Sequence, residues 1–544
     1  MPFLSGLGRM TRIMNRREFL GMSGAALTMA FIPLGSSVGM LGISSAPSAA
    51  QGYVFHDRSR TGKRQRGDKG IPGVCVSNGV DVTVTDRNGF WKLPVTEDSI
   101  LFVIKPSGWK TAVDRVTQLP HGYYIHKPKG SPKDFKYKGV DPTGDLPLSI
   151  DFPLQPQKED RKFRMVLFGD PQPRNQTEID YMAHDVMEQV VRDIEKTDCK
   201  FGISLGDIMF DALNFYESQN RTIATGGIPW YSVVGNHDLN FDAPDNTLST
   251  ETFKRIFGPT NYAFNYGPVH FIVLNDVEWQ GKEKGIYRGD FSKESLQFVK
   301  NDLAQVDREQ LVVIAMHIPL DDVKNREELF RLIEDRPHTF SLSAHTHVQA
   351  NHFLQADMGW KGLQPHHHLN HATVCGSWWG GATDERGIPH ATMSDGCPNG
   401  YSIVEFEGNS YKVTFRAASR PEWEQMSLWL PEVMSSREAG RTELIANIWA
   451  GSSKSTARMK VDGGQWKAME NFTGKDPSYA ALKAMEKNEK PPNGRPLPGP
   501  SNTPHLWKAF LPRGLNEGHH WVEVETTDLY GQVYLEKRIF RVEG

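Results

Sequence analysis

Hydrophobic and polar positions change their spacing along the 544-residue chain. From 51 to about 155, short runs alternate apolar and polar residues, as at Val80, Val82 and Val84. Asn-Gly and Asp-Arg-Asn-Gly turns separate these runs. Period-two alternation interrupted by turns predicts strands, so we expect an N-terminal β-sandwich domain over 51–155.

The middle segment, 160–418, alternates apolar strands with amphipathic helices. Residues 163–168 and 201–205 are mainly apolar runs, interrupted by Arg164 and Ser204. The segment between them has apolar residues at helical spacing: Ile179, Met182, Val186, Val190 and Ile194. This alternation predicts α/β layers in which helices cover the sheet. Strand-like alternation returns after Arg420, so we expect a C-terminal β domain over 419–544.

The first 50 residues have the pattern of an export signal. Four arginines, the last two adjacent at Arg16 and Arg17, precede a stretch without charged residues from 19 to 56, which includes the small residues 45–50. Residues 15–20, Asn-Arg-Arg-Glu-Phe-Leu, resemble a twin-arginine signal. We therefore expect a signal peptide over 1–50, the twin-arginine export machinery as a partner, and a periplasmic or secreted mature chain without a stable membrane span. An uncleaved membrane anchor is the alternative.

Charge and cysteine content narrow the function. The chain has 62 Lys and Arg against 65 Asp and Glu, a net charge of −3, and loss of residues 1–50 would make it −6. This balance provides no basic face for a phosphate backbone, so we expect no nucleic-acid partner and disfavour a nuclease. Four cysteines exclude a disulfide scaffold. An oxidising compartment would permit a disulfide between Cys375 and Cys397, and this pairing stays open.

Five polar clusters follow apolar strands of the middle segment. They are Gly-Asp-Pro-Gln at 169–172, Gly-Asp-Ile-Met-Phe-Asp at 206–211, Gly-Asn-His-Asp at 235–238, Met-His-Ile-Pro at 316–319 and Ala-His-Thr-His at 344–347. In an open α/β sheet, ligands bind beyond the carboxyl ends of the strands. The clusters would therefore bring imidazole, carboxylate and amide groups together, a mixture that suits Mn, Zn or Fe.

The order of these clusters resembles the calcineurin-like metallophosphoesterases. Their pattern is Asp-x-His, Gly-Asp, Gly-Asn-His-Asp/Glu, a lone His and Gly-His-x-His. The flanking segments resemble the β domains of an exported branch, with His-Leu-Trp at 505–507 and Asp-Leu-Tyr-Gly at 528–531. The resemblance implies an α/β (α+β layered) core, a sheet sandwich with flanking helices, between two small all-β domains. It also implies two divalent metal ions, Mn, Fe or Zn, and hydrolysis of phosphate mono- or diesters or pyrophosphates by a metal-bridging hydroxide attacking in line.

The resemblance also implies a role for each matching residue. The implied metal ligands are Asp170, Gln172 and His347 at the first site, Asn236, His317 and His345 at the second, and Asp207 bridging both. Gln172 departs from the family, which usually has His there, and its amide oxygen is the harder ligand. His237 would act as general acid and transition-state stabiliser, with Asp238 or Asp211 orienting its ring.

Substrate and secondary motifs remain open at this level. The substrate class is a phosphorylated small molecule, a lipid headgroup or an envelope polymer. The alternative function is a non-catalytic metal-containing envelope binding module, which only Gln172 supports. We expect the histidines at 366–368 and His371 to form a polar loop at the site's rim, with a second metal site as the alternative. Trp-Trp-Gly-Gly at 378–381 would either grip the substrate or pack beneath the β domains.

Overall fold

The computed structural model describes residues 48–487 and 495–544. The predicted signal segment lies almost entirely outside the described residues, but its last three residues do not. Ser48, Ala49 and Ala50 begin the first strand, where they pair with 93–95, and Ala50 is buried. Among the described residues, no helix has the length and apolar character needed to cross a membrane.

The N-terminal domain consists of two packed sheets. Its strands are β1 (Ser48–His56), β2 (Cys75–Ser77), β3 (Val82–Val84), β4 (Phe90–Val95), β5 (Ser99–Val103), β6 (Trp109–Lys110), β7 (Ala112–Val113), β8 (Pro120–His121), β9 (Tyr123–His126) and β10 (Phe152–Pro156). The sheet β4-β1-β10-β6 faces the sheet β3-β2-β5-β9, and β7 pairs with β8. Buried side chains such as Val54, Trp91 and Leu101 fill the space between the two sheets.

The middle domain contains most of the helices. Its strands are β11 (Lys162–Phe168), β12 (Cys199–Ser204), β13 (Trp230–Ser232), β14 (Tyr262–Tyr266), β15 (Val269–Val273), β16 (Val277–Trp279), β17 (Tyr287–Gly289), β18 (Leu311–Ala315), β19 (Thr339–Ser343), β20 (Ala350–Leu354), β21 (His366–Asn370), β22 (Gly400–Glu407) and β23 (Ser410–Ala417). Its α-helices are α1 (Gln176–Met182), α2 (Glu188–Thr197), α3 (Tyr216–Ile223), α4 (Glu251–Phe257), α5 (Lys293–Leu303) and α6 (Arg326–Ile333).

Two sheets of the middle domain pack face to face. One has the order β13-β12-β11-β22-β23 and the other β14-β15-β18-β19-β21-β20. Leu167, Ile203 and Val313 belong to the apolar core between them. Helices cover the outer faces, with Val190 of α2 in one outer core and Phe298 of α5 in the other. The result is a sheet sandwich with flanking helices, as the sequence predicted.

The C-terminal domain is a second β-sandwich with two helices. Its strands are β24 (Met426–Trp429), β25 (Val433–Ser435), β26 (Glu443–Ile448), β27 (Thr456–Val461), β28 (Lys467–Ala468), β29 (Glu470–Gly474), β30 (Thr503–Phe510), β31 (Gly518–Thr527) and β32 (Val533–Glu543). The helices are α7 (Ser436–Ala439) and α8 (Pro477–Met485). The sheets β24-β26-β30-β29 and β25-β32-β31-β27-β28 enclose a core that includes Trp507.

Buried polar contacts join the C-terminal domain to the middle domain. The side-chain amide of Asn447 donates to the backbone oxygen of Asp395 at 2.9 Å. His505 Nε2 lies 3.2 Å from Asp395 Oδ2, and both side chains are fully buried. Because buried polar groups need partners, these contacts fix how the C-terminal domain sits on the middle domain.

Candidate active site

Parallel strands bring the predicted site residues to one edge of the sandwich. Strands β11, β12 and β13 run parallel, as do β15, β18, β19 and β21. Their carboxyl ends lead directly into the five clusters, so the side chains converge where ligands of α/β sheets bind. All seven predicted metal ligands and His237 lie in this region.

The backbone of the site is held in an uncommon conformation. Among the described residues, thirteen non-glycine residues have positive φ, and six of them lie in the five clusters: Asp170, Gln172, Asp207, Asp211, His345 and His347. Trp378 and Trp379, beside the clusters, add two more. Left-handed backbone costs about 1–3 kcal/mol at each such residue and concentrates at functional sites.

One group of candidate metal ligands surrounds Asp207. His317 Nε2 lies 3.0 Å from Asn236 Oδ1 and 3.4 Å from Asp207 Oδ1. His345 Nδ1 lies 3.1 Å from the same His317 nitrogen. Donor atoms of Asp207, His317 and His345 all lie within 4.8 Å of one another. The residues assigned to the second metal site are therefore together, with the bridging carboxylate beside them.

Buried contacts set the orientation of His317. Its Nδ1 lies 2.8 Å from the Leu205 carbonyl oxygen, which accepts the ring proton. Nε2 is therefore left facing the other candidate metal ligands. The Asp276 carboxylate accepts the backbone N–H groups of His317 and Ile318 at 3.2 and 3.0 Å. Burial raises the pKa of Asp276 to about 7, against the opposing effect of the His317 charge. Sequence reasoning missed Asp276, although it follows β15 as the other site residues follow their strands.

The second group of donors contains Asp170, His347 and Gln172. His347 Nε2 lies 3.2 Å from Asp170 Oδ2, and its Nδ1 donates to the Gly376 carbonyl at 2.5 Å. Gln172 Nε2 donates to Asp207 Oδ2 at 2.8 Å. Gln172 thus reaches the carboxylate that would bridge the two metal sites.

The electrostatics of the site fit bound cations. Asp170 Oδ2 is buried and accepts no well-directed hydrogen bond from the described residues, although His347 Nε2 lies 3.2 Å away. Burial raises the pKa of Asp207, but the charges of His317 and His237 outweigh it and hold that pKa well below its usual range. Burial, then the His317 charge, lowers the pKa of His345 to about 3, which keeps this ring neutral and able to ligate. Carboxylate, amide and imidazole donors in this arrangement suit divalent metal ions.

His237 lies beside the donors with its own set of contacts. Its backbone N–H donates to Asp207 Oδ1 at 2.8 Å, and its ring stacks on Phe210 with 4.2 Å between centroids. Its Nδ1 lies 2.7 Å from Asp211 Oδ1. Burial lowers the pKa of His237, but the charges of Asp207 and Asp211 outweigh this effect and raise it overall. The raised pKa favours an imidazolium, which can donate a proton.

Of the two acids that the sequence offered for His237, Asp211 is the one in contact. The Asp238 carboxylate is turned into the protein, where it accepts hydrogen bonds from the Gly235 and Ile208 N–H groups and the Tyr216 hydroxyl. These contacts shape the turn that carries His237. The structure therefore gives Asp238 a positioning role and places Asp211 at the ring.

The histidines at 366–368 differ from the expected polar loop. They lie in β21, buried between neighbouring strands, because the adjacent strand β19 supplies hydroxyl partners. His366 Nε2 and His368 Nδ1 both lie 2.7 Å from Ser341 Oγ. His371 is also buried, with Nε2 2.7 Å from Ser402 Oγ. These interior histidines are satisfied by hydrogen bonds.

The remaining motifs contribute to the surroundings of the site. Trp378 packs on His347, with 4.2 Å between ring centroids, whereas Trp379 is buried in an outer core of the middle domain. Cys375 and Cys397 are both free thiols, and Cys375 Sγ lies 3.6 Å from Gln172 Oε1. The tryptophan pair therefore contributes both to the site and to packing.

Three protein-family models match consecutive parts of the chain. They are the N terminal of calcineurin-like phosphoesterase at 58–140, calcineurin-like phosphoesterase at 163–349 and the C terminal of calcineurin-like phosphoesterase at 368–534. Together they span most of the sequence, and the central match contains every predicted metal ligand and His237. No curated protein matches the chain.

Two solved structures that are similar to parts of the chain have low sequence identity to it. A purple acid phosphatase from yellow lupin (Lupinus luteus) seeds is 14% identical, covers 63% of this chain and 71% of its own, and has a TM-score of 0.34. CopC from Methylosinus trichosporium OB3b is 11% identical, covers 22% of this chain and 89% of its own, and has a TM-score of 0.13. At such TM-scores neither structure informs the chemistry of this chain.

Proposed function

This chain belongs to the calcineurin-like phosphoesterase family of metal-dependent phosphoester hydrolases, and from that premise we propose that it is an exported enzyme whose site is built on Asp207. The observation that carries the proposal is the position of this carboxylate. Asp207 Oδ1 lies beside His317 Nε2 at 3.4 Å, and Asp207 Oδ2 accepts from Gln172 at 2.8 Å. One carboxylate thus joins the two groups of donors.

The residues present fit two divalent metal ions. Asp170, His347 and the amide oxygen of Gln172 would hold the first, Asn236, His317 and His345 the second, and Asp207 would contact both. When bound, the ions acidify water and neutralise phosphoryl oxygens. An amide oxygen in place of the family's imidazole favours harder ions, so Mn comes first among Mn, Fe and Zn.

His237 is the proposed general acid. The Asp211 carboxylate at Nδ1 holds the ring and favours its protonated form, which leaves Nε2 to donate a proton to the departing alkoxide. The Phe210 ring limits rotation of the imidazole. A module that only binds metal has no need of this pair. The His237–Asp211 contact, together with the family match, therefore favours the enzyme over the non-catalytic alternative.

Substrate class and metal are tested together. Purified chain is stripped of metal, refilled with Mn, Fe, Zn or Mg, and assayed on a chromogenic phosphomonoester and its matching phosphodiester. We expect turnover in at least one refill, with Mn the most active, and the preferred ester identifies the substrate class. Bound metal without turnover of either ester would contradict the proposed activity on these ester classes.

Export rests on the sequence of residues 1–47, which lie outside the described residues. The Arg-Arg pair at 16–17 supports the twin-arginine route, which exports folded proteins and would deliver the chain to the periplasm or medium. Replacing both arginines by lysine tests this route in a bacterium that has it. Export at the unchanged rate would contradict the proposal.

A further inference from the structure

A buried histidine of the C-terminal domain is connected to a loop of the candidate active site. His505 lies in β30 and Asp395 in the loop before β22, and both side chains are fully buried. His505 Nε2 lies 3.2 Å from Asp395 Oδ2. The same carboxylate oxygen accepts the backbone N–H of Gln349 at 2.8 Å. Gln349 follows His347, a candidate ligand of the first metal site, by two residues. One carboxylate therefore joins His505 to the segment that carries this ligand.

Two side chains of the middle domain bind the backbone of the loop 344–349 near its end. The side-chain amide of Asn370 in β21 donates to the Val348 carbonyl oxygen at 3.0 Å. Asp395 accepts the N–H of Gln349, after which the chain enters β20. Two of the candidate metal ligands lie on this loop, so contacts at its end determine where their imidazoles are placed.

His505 donates hydrogen bonds to both domains. The side-chain amide of Asn447 donates to the backbone oxygen of Asp395 and to Asp476 Oδ2, each at 2.9 Å, which identifies its nitrogen and its oxygen. The amide oxygen lies 2.7 Å from His505 Nδ1, so Nδ1 carries a proton. On its other side the ring donates from Nε2 to the Asp395 carboxylate. The imidazole is therefore a bridge between Asn447 of the C-terminal domain and Asp395 of the middle domain.

Gly396 allows the two domains to approach closely at this bridge. Its φ is +82°, and a Cβ atom there would lie 1.9 Å from Asp476 Oδ2 and 2.6 Å from Asn447 Nδ2. A side chain at this position would displace polar groups that are bonded to each other and to Asp395. The turn at 395–396 is thus closely fitted to the polar groups around His505.

Other contacts of the C-terminal domain lie farther along the chain from the ligands. Lys454 Nζ lies 3.8 Å from the centroid of the Phe353 ring in β20. This contact covers the strand that follows the loop, whereas Asp395 is bonded to the last residue of the loop itself. The two contacts lie at the same domain interface and differ in their connection to the site.

We infer that His505 is a positioning residue for the first metal site, through which the C-terminal domain sets the place of His347. This inference rests on the proposed function, since it needs a metal ion at that site. His505 holds the Asp395 carboxylate, and the carboxylate holds Gln349 at the end of the loop. Correct docking of the C-terminal domain is then a condition for full metal affinity in the middle domain.

Metal titration of His505→Gln tests the inference. The chain is stripped of metal and titrated with Mn²⁺, and the binding step that is lost in His347→Ala identifies the first site. We expect His505→Gln to weaken this step about tenfold, as is typical when an outer partner of a ligand is lost, and to leave the other step unchanged. Lys454→Gln is the matched control, because it removes a basic side chain from the same interface and should change neither step.

Hydrogen exchange of the metal-free chain gives a readout that needs no metal. Peptides that cover 344–350 should exchange faster in His505→Gln than in the wild type or in Lys454→Gln, because the acceptor of the Gln349 amide is no longer held in place. The double variant His505→Gln with Asp395→Asn leaves no unpaired buried carboxylate, so it is used if the single variant does not fold. We expect the same two effects in the double variant.

The outcomes separate this inference from the proposed function. A first step that changes by less than about twofold in a folded variant would overturn the inference, whatever the exchange rate. Equal weakening of both steps would also overturn it, as would failure of both variants to fold, because either result assigns His505 to stability alone. A wild-type chain that binds no Mn²⁺ would instead contradict the proposed function.

Discussion

The indole N–H of Trp378 donates a hydrogen bond of 2.5 Å to Oε1 of Gln172. An indole nitrogen is only a donor, so this contact identifies the oxygen of the amide and turns Nε2 toward Asp207. The second lone pair of the amide oxygen meets only the weak Cys375 thiol donor among the described residues, at 3.6 Å, and a metal ion would take that place. Trp378 therefore orients the residue at which this chain departs from the family pattern.

Replacing Trp378 by Phe tests this orientation. The substitution keeps a ring against His347 and removes the donor to Gln172. We expect the metal affinity of the first site to fall about ten- to hundredfold, as is typical when an outer partner of a ligand is lost. Competition with a metal chelator measures the affinity. Trp449→Phe is the control, because Trp449 Nε1 is buried and no described residue accepts a hydrogen bond from it. An affinity unchanged in both variants would contradict the role of Trp378.

Substitutions of the two acids near His237, Asp211 and Asp238, should differ in their effects on kcat and on stability. His237→Ala removes the general acid and should lower kcat by about 10²- to 10⁴-fold with metal content unchanged. Asp211→Asn should lower kcat less, without a loss of stability, because Asp211 is partly exposed. Asp238→Asn should instead lower the melting temperature, since the fully buried Asp238 carboxylate accepts several hydrogen bonds. Equal kinetic effects of the two Asp variants would refute the assignment.

Gly235 is required for space rather than for backbone freedom. Its φ of −109° is ordinary, but a Cβ atom there would lie 2.0 Å from Asp207 N and 2.1 Å from Asp207 Oδ1. Gly235→Ala must therefore displace the carboxylate between the two groups of donors, and we expect loss of bound metal and of activity. Metal analysis after dialysis measures the effect. Gly499→Ala is the matched control, because no atom of the described residues lies within 4 Å of its Cβ position. Full metal content in Gly235→Ala would show that metal binding does not depend on the position of the Asp207 carboxylate in the structure.

The interior histidines predict a loss of stability in acid. Burial lowers the pKa of His366 to about 3, so the folded chain binds a proton on this ring only at a lower pH than the unfolded chain does. A lowered folded-state pKa gives stability that is present near pH 7 and is lost as the pH falls below the unfolded value of about 6.5. His366 alone should contribute about 2 kcal/mol of loss between pH 6.5 and 4.5.

Urea unfolding of wild type and His366→Gln at both pH values measures that contribution. The variant should lose about 2 kcal/mol less than wild type over this interval, whatever its stability at pH 7. The pKa values of His367 and His368 are also lowered, first by burial, so the His366→Gln variant should still lose stability in acid, but less than the wild type does. Identical pH dependence in both proteins would contradict the role of His366.

Much of the site follows from the sequence because its residues come directly after apolar strands. Asp170, Asp207 and His317 each occupy the first positions beyond a parallel strand, where the topology gathers them without further information. Asp276 also lies just beyond a strand, β15, but it belongs to none of the five clusters that resemble the family pattern. Its bond to the His317 backbone becomes visible only in three dimensions.

Other features depend on contacts that the sequence does not encode locally. Asp238 is adjacent to His237, yet neighbouring residues in a tight turn point in different directions, and the more distant Asp211 reaches the ring. The run at 366–368 has no alternation, and its hydroxyl partners lie on another strand. Helix α8 was not predicted, because the β pattern dominates the segment around it. Its local signals are Asp476 as N-cap and Pro477 in the first turn.

Titration of the metal-free chain with Mn²⁺ tests the central claim most directly. Bound metal and hydrolysis of a chromogenic phosphoester are followed in the same samples. The account predicts no turnover without metal and a rise that saturates at two bound ions per chain, with the same binding but little turnover in His237→Ala. Turnover without metal, or two bound ions without turnover in the wild type, would contradict it.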